Sequence, residues 1–192
     1  MAGELDVSRT PVREALSRLH VEGLVERHPD GGYAPSVPDL DEIVELYEVR
    51  GHLEEATVVK DHHDRAQVLT LRDEWSAMGS DPQAVTADPE FVLLDEDFHL
   101  RLAASAGNRS LVSVLAGVNE RIRIVRVHDF LARERVVATI EQHLGIVEAV
   151  LAGRPDAAVR ALRGHLQESR EVVHERAATA IARMLTGRRD AR

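Results

Sequence analysis

Cysteine is absent, so disulfides and thiolate metal sites are excluded, and any metal must be held by histidine and carboxylate. No run of about 18 apolar residues occurs, which excludes a transmembrane helix of ordinary composition. The start, Met1-Ala2-Gly3-Glu4, has no basic region followed by an apolar core, so no secretory signal is expected and a cytoplasmic location follows. Lysine is nearly missing: Lys60 stands alone, and arginine, which suits carboxylate and phosphate recognition, supplies the remaining positive charge. A net charge of −9 argues against a surface that binds polyanions everywhere, while leaving room for a local basic face. The 192 residues suffice for a small domain followed by a medium one.

What is present is helical periodicity. From Asp39 onward apolar residues recur at three- and four-residue steps with no sustained alternation. Asp39 or Asp41 starts a helix through Ile43, Leu46, Tyr47, Leu53 and Val58, and residues 64–78 form a second. A third carries Asp95 and His99 and stops at Ala106-Gly107. Asn108 caps a fourth through Leu111, Leu115, Val118, Ile122 and Val125. A fifth covers roughly 133–152 and ends at Gly153, and Pro155-Asp156 opens a sixth that passes Arg176. The expected fold class is mainly α, with residues 39–185 as a six-helix antiparallel bundle and fraying from Thr186.

In the third helix Phe91, Leu94, Phe98 and Leu102 mark one apolar stripe. At about 100° per residue Asp95 falls inside that stripe and His99 on its edge, one turn apart. His143 shares a face with Ile140, Leu144 and Val147; His165 lies with Ala158, Ala161, Leu162, Ser169 and Val172. Taken singly, each histidine is more often a hydrogen-bonded core residue than a ligand. Their combination points to convergence on one divalent first-row ion: zinc, nickel, manganese or iron. Histidines 20, 28, 52, 62, 63, 128 and 174 show no such convergence and read as surface or loop residues. Arg50 lies mid-stripe among Ile43, Leu46, Tyr47 and Leu53, an expensive place for a guanidinium without a partner. Either a structural salt bridge to Asp95 or another acid holds it, or it awaits a ligand.

The first segment differs. Ser8 or Thr10 caps a helix with Pro11 in its first turn, Val12, Ala15, Leu16 and Leu19 as its buried side, and Gly23 as its stop. Residues 24–28 read as a strand, Asp30-Gly31-Gly32 as a hairpin turn, and Tyr33-Ala34 as the return strand, ended by Pro35. Helix then hairpin is the second half of a winged helix, with Arg9 and Arg13 one turn apart at the helix's N-terminal end. The stretches VSRTPVREAL and VEGLVERHPDGGY resemble the GntR family of bacterial transcription regulators. That resemblance implies that Arg9 and Arg13 contact DNA, that Ser8 and Thr10 hold phosphates, and that Gly31 and Gly32 form the wing tip. It also implies a first helix and most of a second ahead of this point. Residues 1–38 are therefore expected to be a partial winged helix-turn-helix, N-terminally truncated.

LDEDFHLRLAASAGNRSL, EQHLGIVEAVLAG and GHLQES resemble the all-helical FCD effector domain of the FadR branch of that family, over roughly residues 40–175. The resemblance implies that Asp95, His99, His143 and His165 are metal ligands, that the ion keeps positions open for a small organic acid, and that Arg50 lies near this effector. A planar guanidinium facing a metal-bound carboxylate makes a two-point clamp. The expectation is a non-enzymatic, metal-dependent regulator that answers a small carboxylate and binds operator DNA as a homodimer. The alternatives are a metalloenzyme, either a mononuclear His₃Asp centre or a di-iron site using Glu96–His99 and Glu171–His174, and a bundle with a purely structural metal. Against di-iron, Glu96 and Glu171 are expected to project away from their apolar stripes.

Overall fold

A computed structural model describes residues 8–21, 25–29, 31–36, 39–81 and 83–190, with side chains described to Val173 except those of Arg9 and Pro35. The chain separates into two compact units, Met1–Pro38 and Asp39–Arg192.

In the first unit α1 (Arg9–Val21) is followed by an antiparallel hairpin of β1 (Val25–Arg27) and β2 (Tyr33–Pro35), pairing Val25 with Pro35, Glu26 with Ala34 and Arg27 with Tyr33. Pro35 thus belongs to the return strand instead of ending it, as an edge position allows. The turn closes through Gly31 N–H to His28 O at 3.0 Å, and Gly31 (φ 89°) and Gly32 (φ 95°) take the left-handed region that glycine favours. Leu24, Gly23 and Asp30, placed in this segment from sequence, lie outside the described residues. His20 Nδ1 meets Val25 O at 2.9 Å, and its ring packs edge-on against Tyr33, tying helix to hairpin. The expected buried face of α1 is only partly covered: Val12, Leu16 and Leu19 are half-buried and Ala15 is exposed. Among the described residues one helix and two short strands supply too few layers to close over that stripe.

The second unit contains α2 (Leu40–Val58), α3 (Arg65–Gly79), α4 (Phe91–Ser105), α5 (Arg109–Arg126), α6 (Arg133–Leu151) and α7 (Pro155–Asp190). Local chemistry sets the ends. Asp39 and Asp64 accept from backbone N–H groups of the first turns of α2 and α3, and Asn108 Oδ1 accepts from Leu111 N–H at 3.1 Å. Gly107 (φ 76°) and Gly153 (φ 62°) follow α4 and α6 in the left-handed conformation that stops a helix. A single 3-10 turn, Asp129–Leu131, joins α5 to α6 and buries Asp129 and Phe130. α7 continues to Asp190, past the point at which fraying is expected from composition.

α6 packs against α7 and α3, α2 against α7 and α5, and α4 against α3 and α5. Two apolar clusters result. The larger includes Trp75, Phe91, Phe98, Phe130, Ile146 and Leu162; the smaller joins Ile43, Leu46, Tyr47, Ile122, Val125 and Val173. Leu94 departs from the expected stripe: it is 48% exposed, while Phe91, Asp95, Phe98, His99 and Leu102 are buried. The covered face of α4 is rotated toward Asp95, whose charge is tolerated because arginines meet it there.

Candidate metal centre

Asp95 and His99 come from α4, His143 from α6 and His165 from α7, all buried, and one ligand atom of each lies within 4.8 Å of the others. His165 Nε2 sits 3.2 Å from His99 Nε2 and 3.3 Å from His143 Nε2. Asp95 Oδ1 lies 3.5 Å from His143 Nε2 and 3.9 Å from His165 Nε2, and Asp95 Oδ2 is 3.7 Å from His99 Nε2. Two nitrogens bound tetrahedrally at about 2.0–2.1 Å lie about 3.3 Å apart. The His99–His165 and His143–His165 spacings match that separation.

The protons on these rings can be placed from their outer contacts. Gln142 donates its amide N–H to Glu168 at 2.5 Å, which turns its carbonyl oxygen toward His165 Nδ1 at 2.8 Å. His165 Nδ1 must then carry the proton. His99 Nδ1 lies 2.5 Å from Glu54 Oε2 in an ion-pair contact too bent for a regular hydrogen bond, and a carboxylate at that distance also demands a proton on Nδ1. His165, neutral and protonated at Nδ1, therefore turns a bare Nε2 lone pair toward His99 Nε2. His143 has no partner at Nδ1; its ring instead stacks on Phe98, with centroids 3.7 Å apart and planes 7° from parallel.

The charges agree. Burial, with the neighbouring histidines and arginines, pushes His143 and His165 well below the ordinary histidine range, so both are neutral. Burial opposes ionisation of Asp95, but Arg126, His99, His143 and Arg50 outweigh it and hold the carboxyl well below the usual carboxylate range. Arg126 NH2 makes a short charge-assisted hydrogen bond to Asp95 Oδ2, leaving Oδ1 without a hydrogen-bond donor and facing the imidazoles. Three imidazole nitrogens and one carboxylate oxygen form a donor set for a divalent first-row ion.

Arg50 is fully buried at the same place. Its Nε donates to Glu54 Oε1 at 2.5 Å and its NH2 lies 3.8 Å from Asp95 Oδ2, while NH1 and NH2 have no hydrogen-bond acceptor. Arg126 likewise leaves Nε and NH1 without acceptors. Beyond them Tyr47 meets Ser169 at 3.2 Å, Ser169 donates to Asp129 at 3.0 Å, and Arg135 links Asp129 to Gln142 and Glu168.

Sequence reasoning did not single out Glu54, Arg126 or Gln142. Glu54 had a signal, its one-turn spacing from Arg50, and Gln142 directly precedes His143. Glu96, expected to project outward, is buried and accepts hydrogen bonds from Arg123 at 3.0 Å and 2.6 Å, because α5 covers that flank of α4. Paired in this way it lies outside the Asp95–His99–His143–His165 group, Glu171 is exposed, and among the described residues the two glutamates build no second metal position. In the first unit Ser8, Thr10, Arg13, Gly31 and Gly32 are all exposed, and Arg9 opens α1.

Residues 45–168 match the FCD domain, and residues 1–34 match the bacterial regulatory proteins of the gntR family. The chain belongs to the GntR family and carries an FCD domain. This GntR regulator is 30% identical to the Nta operon transcriptional regulator of Aminobacter aminovorans over 99% of its own length and 89% of that protein's. It is also 30% identical to the transcriptional regulator LutR of Bacillus subtilis, covering 90% of this chain and 88% of that one. In fold it resembles a GntR transcriptional regulator from Rhodococcus sp. RHA1, with a TM-score of 0.67 at 24% identity over 90% of this chain and 83% of that one. The metal-free FCD domain of TM0439 superposes with a TM-score of 0.60 at 22% identity, over 74% of this chain and 98% of that one. The relatives of the GntR chain are transcriptional regulators, not enzymes. No helix among its described residues is long and apolar enough to cross a membrane.

Proposed function

We propose that this regulator, of the FadR branch, binds a divalent metal ion through Asp95, His99, His143 and His165, responds to a small organic acid, and binds operator DNA as a homodimer in the cytoplasm. The observation that carries the metal is the meeting of three imidazoles through Nε2, His165 lying 3.2 Å from His99 and 3.3 Å from His143, in a buried site beside the unpartnered Oδ1 of Asp95. A divalent cation placed among these nitrogens and the carboxylate oxygen takes up lone pairs that are costly to leave unpaired in a low dielectric. The ion supplies Lewis acidity that a carboxylate ligand would use. Of the solved relatives, the FCD domain of TM0439 is described by its metal-free state.

The acid is recognised by the chain's own cations. The unpartnered N–H groups of Arg50 and Arg126 flank Asp95, and buried donors without acceptors cost roughly 1–3 kcal/mol each. A carboxylate that reaches them recovers this cost, so the fully satisfied site is the liganded one. On the first unit Arg9 and Arg13 face DNA with Ser8 and Thr10 at the phosphates, while Gly31 and Gly32 form the wing tip. Effector binding then changes operator affinity through linkage between the sites.

The test is metal analysis of the purified chain, followed by thermal-shift screening of di- and hydroxycarboxylic acids with and without zinc. About one divalent ion per chain, and an acid whose shift depends on zinc, are expected. A protein that gains no stability from zinc, nickel, manganese or iron removes the proposal. Stabilisation by metal with no acid response leaves only a structural ion.

A further inference from the structure

Glu54 is 3% exposed on α2, one turn after Arg50, and is bound at both oxygens. Oε1 accepts from Arg50 Nε at 2.5 Å, and Oε2 lies 2.5 Å from His99 Nδ1. One carboxylate therefore touches the proposed ligand ring and the proposed effector arginine, using a different oxygen for each. The three imidazoles are backed unequally. His165 has the neutral amide oxygen of Gln142, and His143 has no hydrogen-bond partner at Nδ1 and packs against the Phe98 and Trp75 rings. Among the described residues Glu54 is the carboxylate behind the histidine cluster.

A carboxylate in that position holds an imidazole in its Nδ1–H tautomer and increases the donor strength of Nε2. Capture of Nε by the same group also fixes the plane of a guanidinium, leaving NH1 and NH2 as its open edge. We propose that Glu54 is a positioning residue that presents His99 Nε2 to the metal and the free edge of Arg50 to the effector through one shared anchor. This deepens the metal-dependent reading above and rests on it. Because the two contacts share a carboxylate, movement of Arg50 toward an acid is felt at His99, and metal at His99 restrains Arg50. That is the physical content of coupling between the two ligands.

The experiment compares zinc affinity of the full chain and of its Glu54→Gln variant by competition with a chromophoric chelator, with Glu55→Gln as control. Glu55 pairs with Arg163 at 2.7 Å on the outer side of α2. Glu54→Gln is expected to lose about 10–100-fold in zinc affinity, and Glu55→Gln to match the parent. Equal zinc affinity in a folded Glu54→Gln overturns the proposal. Nitrogen-15 NMR of the zinc-loaded parent gives a second readout that survives a variant that does not fold. A protonated Nδ1 on His99 and a slowly exchanging Arg50 Nε–H are expected; metal on Nδ1, or an Arg50 Nε–H in fast exchange with water, overturns it. A parent that binds no zinc overturns the metal reading itself, a result distinct from a parent that binds zinc and a variant that binds it equally.

Discussion

Arg126 and Asp95 form a fully buried ion pair in which one guanidinium nitrogen holds Oδ2 and leaves Oδ1 turned toward the three imidazoles. This pairing makes a carboxylate affordable in the middle of α4 and selects the oxygen it shows to the histidines. Removing the arginine strands a buried charge, which costs about 3–5 kcal/mol. Arg126→Leu should therefore lower the melting temperature by roughly 10 °C or more for a domain of this size. Combining it with Asp95→Asn should recover part of the loss, and urea melts of the single and double variants measure the difference. No recovery in the double variant would mean that the pair does not carry the effect.

Metal removal should weaken the fold. At a free ion concentration of about 100 times its Kd, binding adds about 2.7 kcal/mol, or roughly 5–10 °C. Chelator should lower the melting temperature by that order, and zinc should restore it. His143→Ala and His165→Ala should abolish the zinc-dependent increment. A variant that keeps the full increment would place the ion elsewhere.

Acid should destabilise the metal-free protein early. His143 and His165 have folded values well below the ordinary imidazole value of 6.5, so below that pH the unfolded chain binds protons that the folded chain refuses. Stability therefore rises with pH across the interval below 6.5 and is lost as pH falls, by up to about 1.4 kcal/mol per unit for each ring. Asp95 adds in the same direction lower down: its stabilisation is present above 3.8 and disappears as pH falls through its depressed folded value. Melts of the chelated protein between pH 7 and 5 give the slope. A flat profile would contradict the neutral, buried state of the rings.

The two recognition functions should separate by mutation. Arg50→Met should retain zinc binding but lose the zinc-dependent shift produced by whichever acid the screen identifies. Arg13→Ala should weaken operator binding by about 1–3 kcal/mol, tenfold or more, with zinc affinity unchanged. Gel shifts and zinc titrations on both variants check this crosswise, and an Arg13→Ala protein with parental operator affinity would remove that residue from the interface.

Much of the bundle was legible because helix ends are local. Asp39, Asp64 and Asn108 accept from backbone N–H groups within three residues, and Gly107 and Gly153 take the conformation other residues avoid. Asp95, His99, His143 and His165 were legible for the complementary reason: each is a polar residue on an otherwise apolar helical face, and polar groups persist there only with partners. Leu94 and Glu96 mark the limit. They flank Asp95 in sequence, yet the leucine is exposed and the glutamate buried, since the position of α5 decides which side of α4 is covered.

By itself, the amino-acid order determined the helices, their ends and the identity of the four clustered groups, all of which depend on neighbours within a turn or two. Only the tertiary structure decided that Glu54 backs His99, that Gln142 backs His165 and that Arg126 divides the two oxygens of Asp95. Each of those contacts joins two different helices. Such pairings follow from how helices pack, and periodicity within one helix carries no record of its neighbours.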